Sequence, residues 1–183
     1  MVEESLRIIK TGAIPSAEEF TSQIEPKNVP AVFRGCVNDW KALSKWNPST
    51  GGLDYLEPLF LETKTLASIN LWMNSAQARS STHYDPHHNL LCVVSGSKQV
   101  DLWPPSSSPF LYPMHLYGEA SNHSAVPIDK LDLSVHPRAA HLKKYSQRVI
   151  LQAGDALFIP EGWFHQVDSE NLTVAVNFWW QSE

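Results

Sequence analysis

The sequence has few cysteines, few glycines and no long hydrophobic run. Its 183 residues include only two cysteines, Cys36 and Cys92. Two thiols form no disulfide framework, and each lies in an apolar stretch that is typical of a buried free cysteine. No apolar run approaches the roughly 18 residues that a membrane span needs, and the first residues lack the pattern of a signal peptide. We therefore predict a protein that does not enter a membrane and that resides in the cytoplasm, the nucleus or both.

An excess of basic residues is also absent. The chain has 14 Lys and Arg against 19 Asp and Glu, which gives a formal net charge of −5. Nucleic-acid binders that work through bulk charge carry a basic stripe, so a nucleic-acid partner is disfavoured. Hydrophobic residues make up 43% of the chain, which is enough to form a core of one domain.

Thirteen prolines and seven tryptophans, with short β-branched runs, favour a mainly β fold. We predict strands over 31–34, 66–73, 148–152, 156–159, 164–167 and 172–180. Strands 90–94 and 98–103 flank a Ser-Gly-Ser turn, which predicts a hairpin. Ser16 and Glu19 form a capping box that predicts a helix over 16–24, and a second short helix is expected over 39–46.

At about residue 66 the sequence changes from a mixed, partly helical pattern to a succession of predicted strands. Residues 1–65 are expected to form a mixed, partly helical lead-in that packs on a barrel. Residues 66–183 are expected to form the β-barrel itself. Residues 104–146 are rich in Pro, Ser and His without periodicity, which predicts a long irregular insertion of the kind that is usually functional or mobile.

The tripeptide His83-Tyr84-Asp85 is the main candidate for chemistry. In an extended chain, residues two apart point to the same side, so His83 and Asp85 project together. His165, on another predicted strand just after a tight turn, is the leading candidate for a third ligand. Two imidazoles and a carboxylate on one face of a metal are typical of non-haem Fe(II) oxygenases. The other histidines lie mostly in loop-like sequence and are expected to be solvated: His87, His88, His115, His123, His136 and His141.

Two stretches carry a specific resemblance. HYDPHHNLLCVVSGSKQVDLWPP and LQAGDALFIPEGWFHQVDSENLTVAVNFWW resemble the JmjC-domain family of Fe(II)- and 2-oxoglutarate-dependent oxygenases, and in particular its small JmjC-only protein hydroxylases. With the lead-in VPAVFRGCVNDWKALSKW, the resemblance spans residues 15–181. It implies a double-stranded β-helix, a jelly-roll or cupin-like barrel with iron at one mouth. It also implies Fe(II), 2-oxoglutarate as co-substrate and O2.

The resemblance implies a role for each matching residue. The three iron ligands are implied to be His83, Asp85 and His165. Lys98 matches the lysine that pairs with the distal carboxylate of 2-oxoglutarate, and Ser80 matches a hydroxyl that bonds the same carboxylate. Asn89 and Asn177 match amides beside the metal and the co-substrate. No catalytic residue beyond the metal centre is implied.

The chain departs from the family pattern in one region. Only residues 57–68 separate Leu56, at the end of the lead-in, from Ile69 in a barrel strand, where relatives carry a far longer stretch. We expect that a segment between residues 56 and 69 is lacking, which would expose a strand edge and open one wall of the co-substrate pocket. The chain also ends soon after Trp180, where many relatives continue into dimerisation helices, so a dimer is possible but is not favoured by this end of the chain.

The leading hypothesis is a dioxygenase that hydroxylates a protein or peptide side chain and releases succinate and CO2. Histone N-methyl-lysine demethylation is an alternative, weakened because the sequence shows no zinc finger or reader domain. Hydroxylation of a tRNA base is disfavoured by the acidity. A catalytically weak interaction module would follow if the lacking segment disables the pocket. A cupin-type isomerase or sensor remains a rival, although many cupins place a second histidine where Asp85 lies.

Overall fold

The computed structural model describes residues 9–11, 14–40, 61, 63–75, 77–114, 120–169 and 172–181. Eleven strands lie in the described part of the chain: β1 (Ile9–Thr11), β2 (Ala31–Phe33), β3 (Leu66–Asn74), β4 (Ala78–Arg79), β5 (His83–Tyr84), β6 (His88–Ser95), β7 (Ser97–Trp103), β8 (Gln147–Gln152), β9 (Ala156–Ile159), β10 (Phe164–Ser169) and β11 (Thr173–Trp180). Short helical pieces cover Ala17–Glu19, Phe20–Ile24, Glu25–Lys27, Pro105–Ser107, Ser108–Leu111, Ile128–Lys130, Pro137–His141 and Leu142–Tyr145.

The N-terminal helical segment begins where the capping box predicts. The Ser16 side chain accepts a hydrogen bond from the backbone N–H of Glu19, which satisfies one of the donors left free at a helix start. Phe20 and Ile24 are buried, and Asn28 ends the segment in the left-handed region at φ 51°. The predicted helix over 16–24 is therefore confirmed. Most of the helix predicted over 39–46 lies outside the described residues.

Two sheets face each other. The larger has the strand order β1-β2-β9-β6-β11-β3, and the smaller has the order β4-β10-β7-β8, with β5 also paired to β10. All neighbouring strands are antiparallel except β1 and β2. The mainly β, double-stranded β-helix prediction is thus confirmed. Strand β2 from the lead-in pairs with β9, and the division of the chain at residues 65 and 66 stays a prediction.

The central strand β6 of the larger sheet is buried on both faces. Leu91 and Val93 face the smaller sheet and join a core with Val100, Leu102 and other residues of both sheets. Their neighbours on β6, among them Cys92, face outward and pack under the N-terminal segment around Phe20 and Phe158. Successive side chains of β6 point to opposite faces of the sheet, and both faces are buried at this strand. The sequence of β6 is therefore a continuous apolar run rather than an alternation of apolar and polar residues.

The predicted hairpin of residues 90–94 and 98–103 is wrong. Strand β6 pairs with β9 and β11 in the larger sheet, whereas β7 pairs with β8 and β10 in the smaller one. The chain crosses between the sheets at Gly96, which has φ 76°. A short turn of this kind can connect two paired strands of a hairpin or two strands in different sheets. The packing of the two sheets, and not the turn, determines which of the two forms.

The described residues of the segment 104–146 pack as a cap beside the smaller sheet. Their short helices contribute Leu111, Ala139 and Leu142 to a third hydrophobic cluster with Trp103 and Phe164. The boundaries 104 and 146 stay a prediction, but the described part of this segment has its own buried side chains. It therefore lies against the barrel rather than extending from it.

Replacing Gly96 by Ala tests the crossing between the sheets. A Cβ at this position would clash with the backbone oxygen of Leu172 and lie 2.9 Å from Cγ2 of Thr173. We expect Gly96→Ala to lower the free energy of unfolding by about 3 kcal/mol, measured by urea denaturation.

Gly162→Ala is the matched control. Gly162 has a similar φ of 78°, but its nearest neighbour for a Cβ is Cγ of Pro105 at 3.7 Å. Only backbone strain acts there, so the expected loss is about 1 kcal/mol. Equal losses in the two variants would contradict the assignment of a close approach at Gly96.

Candidate functional site

The three candidate ligands meet at the start of β10. His83 on β5 lies directly opposite His165 on β10 in the strand register, and Asp85 follows β5. Gly162 donates a backbone hydrogen bond to the carbonyl of Asp85 at 3.0 Å, which fixes the segment after β5 against the turn before β10. The structure thus brings together side chains that are 80 residues apart in the sequence.

The ligand atoms form a compact cluster. Nε2 of His83 lies 3.7 Å from Oδ1 of Asp85, and Nε2 of His165 lies 3.6 Å from Oδ2. All three ligand atoms lie within 4.8 Å of one another, and in the described part of the chain no other group of three such residues meets this criterion. Separations of this size suit three donors around one metal ion, because metal–nitrogen and metal–oxygen bonds are each about 2 Å long.

Backbone carbonyls fix the orientation of both imidazoles. Nδ1 of His83 lies 2.7 Å from the carbonyl of Ser81, and Nδ1 of His165 lies 3.0 Å from the carbonyl of Trp163. A carbonyl only accepts, so Nδ1 carries the proton in each ring and Nε2 presents a lone pair to the cluster. Burial, followed by the neighbouring His165, lowers the pKa of His83. The neutral form that binds a metal is therefore favoured.

An amide relay supports the carboxylate. Nδ2 of Asn89 donates to Oδ2 of Asp85 at 2.9 Å, and Nδ2 of Asn177 donates to Oδ1 of Asn89 at 3.0 Å. A carboxylate only accepts, so Asp85 determines which way both amides point. The relay leaves Oδ1 of Asn177 buried without a partner, and this oxygen belongs to a residue that lines the cavity described below.

Lys98 is a buried cation without a carboxylate. Its Nζ donates to Oγ of Ser169 at 2.8 Å and to Oδ1 of Asn74 at 3.3 Å, and the residue is 4% exposed. No acidic partner of Lys98 lies among the residues that the structure describes. Burial lowers the pKa of Lys98. A buried ammonium with only neutral partners is costly, and an anion would offset that cost.

Ser80 lines the same cavity but is tied to the backbone. Its Oγ accepts from the N–H of Val167 at 2.9 Å, and its own N–H donates to the carbonyl of Val167. The hydroxyl hydrogen is left to donate. Ser80 can therefore bond an acceptor in the cavity while it holds its position beside β10.

A cavity of about 210 Å³ joins the cluster to Lys98. All seven predicted site residues line it: Ser80, His83, Asp85, Asn89, Lys98, His165 and Asn177. The sequence analysis missed Ser169 and Asn74, which hold Lys98. Ser169 shares a strand face with His165, but the strand was predicted to end at residue 167, so the alternation was not followed as far as Ser169.

Four histidines differ from the expectation that they are solvated. His88 is buried, and its Nδ1 accepts from the backbone N–H of Glu161 at 2.9 Å. His87, His123 and His136 are half-buried. The ring of His123 stacks on His83 with 5.2 Å between centroids and 19° between planes, and the rings of His87 and His136 lie against Trp179 and Tyr112. Local polarity suggested solvent exposure, whereas contacts distant in sequence cover these rings. His115 lies outside the described residues.

Comparison with known proteins assigns the family. A model of the family described as cupin-like domain matches residues 57–183. The chain belongs to this family. Its relatives carry JmjC names, and they place the chain in the JmjC group, whose oxygenases use Fe(II), 2-oxoglutarate and O2. In the described part of the chain, no helix is long and apolar enough to span a membrane.

Three relatives show the range of the JmjC group. Lysine-specific demethylase JMJ31 of Arabidopsis thaliana is 44% identical over 266 residues, covering 91% of this chain and 48% of the relative. The bifunctional peptidase and (3S)-lysyl hydroxylase JMJD7 of Homo sapiens is 34% identical, covering 63% and 42%. The tRNA wybutosine-synthesizing protein 5 of Mus musculus is 36% identical, covering 90% and 50%.

The chain spans about half or less of the length of these relatives. The alignment with the plant demethylase extends over 266 residues, although this chain has only 183. That relative therefore carries a stretch without a counterpart here, in agreement with the segment predicted to be lacking. Its position between residues 56 and 69 stays a prediction.

Lys98→Met tests the cost of the buried cation. We expect the variant to raise the free energy of unfolding of the ligand-free protein by about 1–2 kcal/mol near neutral pH, because a desolvated charge is replaced by an apolar group of similar length. Urea denaturation measures the change. Lys143→Met, at an exposed position, is the control and is expected to be neutral.

The pH dependence gives an independent check. The pKa of Lys98 is lower in the folded state than the ordinary value of 10.5, so the unfolded chain binds this proton more tightly. Wild-type stability should therefore gain a contribution as pH rises through the folded pKa towards 10.5, and Lys98→Met should lack it. If Lys98→Met were less stable than the wild type near neutral pH, the claim that the buried charge of Lys98 destabilises the ligand-free protein would be contradicted.

Proposed function

We propose that this chain binds Fe(II) and 2-oxoglutarate and hydroxylates a protein or peptide side chain. The observation that carries the proposal is a buried lysine that has no acidic partner among the described residues and lies in the same cavity as a His-Asp-His cluster. The cluster suits a divalent metal, and the lysine suits the far end of a dicarboxylate. A cavity with both features fits a metal-chelating dicarboxylate better than either feature does alone.

The donor set fits iron in particular. His83, Asp85 and His165 would hold the metal from one side, which leaves the positions facing the cavity open. Both Nδ1–H groups are held by backbone carbonyls, so the rings are oriented before a metal binds. With Fe(II) bound, 2-oxoglutarate and O2 would supply the oxidising chemistry that places a hydroxyl on a C–H bond.

The remaining residues would bind and orient the co-substrate. Lys98 would neutralise its distal carboxylate, and Ser80 would donate its free hydroxyl hydrogen to the same group. Asn89 and Asn177 would lie beside the metal end, where Asn89 holds Oδ2 of Asp85. The apolar lining from Leu91, Ile159 and Val167 would keep bulk water away from the reacting atoms.

A protein side chain is the substrate class that we propose. JMJD7, named as a lysyl hydroxylase, is 34% identical, and the acidity of the chain disfavours a nucleic acid. N-methyl-lysine demethylation is the second candidate, favoured by the 44% identity to a protein named as a demethylase. Both reactions would use the same centre and differ in which C–H bond is hydroxylated.

Anaerobic isothermal titration of 2-oxoglutarate into the Fe(II)-loaded protein tests the site. We expect saturable binding that weakens about 100-fold in Lys98→Ala, because one charge-assisted contact to a buried carboxylate is lost. His165→Ala should lose metal binding, which is measured separately with Co(II) by its visible absorption. Lys143→Ala and His141→Ala, both at exposed positions, are the matched controls.

The two arms separate the possible failures. Co(II) binding without 2-oxoglutarate binding would show a metal site with a disabled pocket, as the interaction-module hypothesis requires. Absence of both in a folded chain would reject the proposed function.

The product distinguishes hydroxylation from demethylation. Peptide arrays that contain unmodified and N-methylated lysines are incubated with the loaded protein under ¹⁸O2. We expect a peptide that gains one oxygen atom bearing the label, together with succinate and without formaldehyde. Formaldehyde release coupled to loss of a methyl group would instead establish demethylation.

A further inference from the structure

Among the described residues, no strand covers the outer edge of β3. Strand β3 ends the larger sheet, and within the described residues no strand pairs with its outer side. Its nine residues, LASINLWMN, include no charged residue and no proline. Natural sheet edges are normally protected by charges, prolines, bulges or covering segments, because a free row of N–H and C=O groups pairs readily with another strand.

The smaller sheet shows what protection looks like in this fold. Its edge strand β8 carries Arg148, and Nη1 of Arg34 donates to the carbonyl of Ile150 at 2.8 Å. A charged group therefore covers a main-chain acceptor of that strand. Edge strand β8 has a charged group beside its main chain, whereas edge strand β3 includes no charged residue. Both strands belong to the same chain, so a general shortage of charged residues does not explain the difference.

Four large apolar residues of β3 are exposed to solvent. Ile69, Leu71, Trp72 and Met73 are 50%, 40%, 50% and 49% exposed. Side chains of this size leave roughly 400 Å² of mainly apolar surface on one copy. Two copies would offer about 800 Å² from these side chains, which is less than the roughly 1,000 Å² of a specific interface, so the paired main chains would have to supply the remainder and the association would be weak.

We propose that a second copy of this chain pairs antiparallel with β3 across a two-fold axis at Leu71. In this register Leu71 lies opposite the partner's Leu71, and Ile69 lies opposite the partner's Met73. Apolar residues then meet apolar residues along the outer face, which continues the row of Val174, Val176 and Phe178 on β11. An uncharged edge makes this self-pairing free of like-charge repulsion.

The pairing bears on the candidate site. Trp72 and Asn74 of β3 line the cavity that holds Lys98, so β3 is both a wall of the cavity and the outermost strand. A second copy would continue this wall beyond β3, with Trp72 opposite the partner's Asn70. The dimer itself does not rest on the proposed function, because its test measures mass and proximity rather than activity.

Light scattering after size exclusion gives the first test. We expect wild-type protein to have twice the 20.6 kDa of one chain at micromolar concentration and to dissociate on dilution. Leu71→Lys should raise the dimer dissociation constant at least about tenfold, because two desolvated ammonium groups would face each other at the axis. Ile150→Lys, on edge strand β8 and 52% exposed, is the matched control and should dimerise as the wild type does.

Cysteine cross-linking tests the register. Directly opposite residues in an antiparallel pair have Cα atoms about 4.5–5.5 Å apart, within the range that a disulfide spans. Under a mild added oxidant, Leu71→Cys should give a disulfide-linked dimer on a non-reducing gel, whereas Ile150→Cys should cross-link at least about tenfold more slowly. Cys36 and Cys92 are both buried and remain as internal controls.

The outcomes decide the proposal. A monomer at every concentration would overturn it, as would a dimer that Leu71→Lys does not weaken. A dimer without Leu71→Cys cross-linking would overturn the register at Leu71. Circular dichroism of each variant shows whether the fold is kept, and Ile69→Lys provides a second exposed position on the same face if Leu71→Lys does not fold.

Discussion

The register of β10 is the constraint on which the site depends. This strand pairs with β4, β5 and β7, and each pairing contributes one part of the cavity. The β5 pairing places His165 opposite His83, and the β7 pairing places Ser169 opposite Lys98. Side chains alternate along a strand, so a shift by one residue would turn His165 and Ser169 away from the cavity together. The proposed metal ligands and the proposed anion-binding residues are therefore positioned by one set of main-chain hydrogen bonds.

The site is assembled from groups that are unfavourable in an empty cavity. Lys98 is a desolvated cation, and Oδ1 of Asn177 is a buried acceptor without a partner. On β6, Asn89 and Leu91 line the cavity, whereas Leu90, Cys92 and Val94 pack in the apolar cluster beneath the N-terminal segment. One strand therefore contributes both to the site and, through its alternate residues, to the apolar packing that stabilises the scaffold.

Sequence reasoning predicted the elements better than their partners. The strands were found because β-branched and aromatic runs between turn residues are local signals. His83, Asp85 and His165 were predicted as ligands because a facial triad needs two imidazoles and a carboxylate and because the flanking sequence resembles the JmjC family, and the structure brings these three side chains together. The hairpin of β6 and β7 was predicted wrongly because the partner of a strand is determined by the packing of two sheets and not by the turn. His88 and His123 were misjudged for a related reason, since each is covered by residues far away in the chain. Ser169 and Asn74 were missed because a hydrogen bond to Lys98 leaves no local trace in composition.

The placement of the two thiols has a consequence for oxidative self-damage. Cys36 and Cys92 both lie in the cluster beneath the N-terminal segment, on the opposite side of the larger sheet from the cavity. Burial raises the pKa of Cys36 to about 12 and raises the pKa of Cys92 well above its ordinary value. Thiolates, and not thiols, react readily with peroxide and related oxidants. The proposed centre would activate dioxygen and would release such species when turnover fails. In this fold these species would meet the larger sheet before they reach a cysteine, and burial keeps each cysteine in its unreactive thiol form.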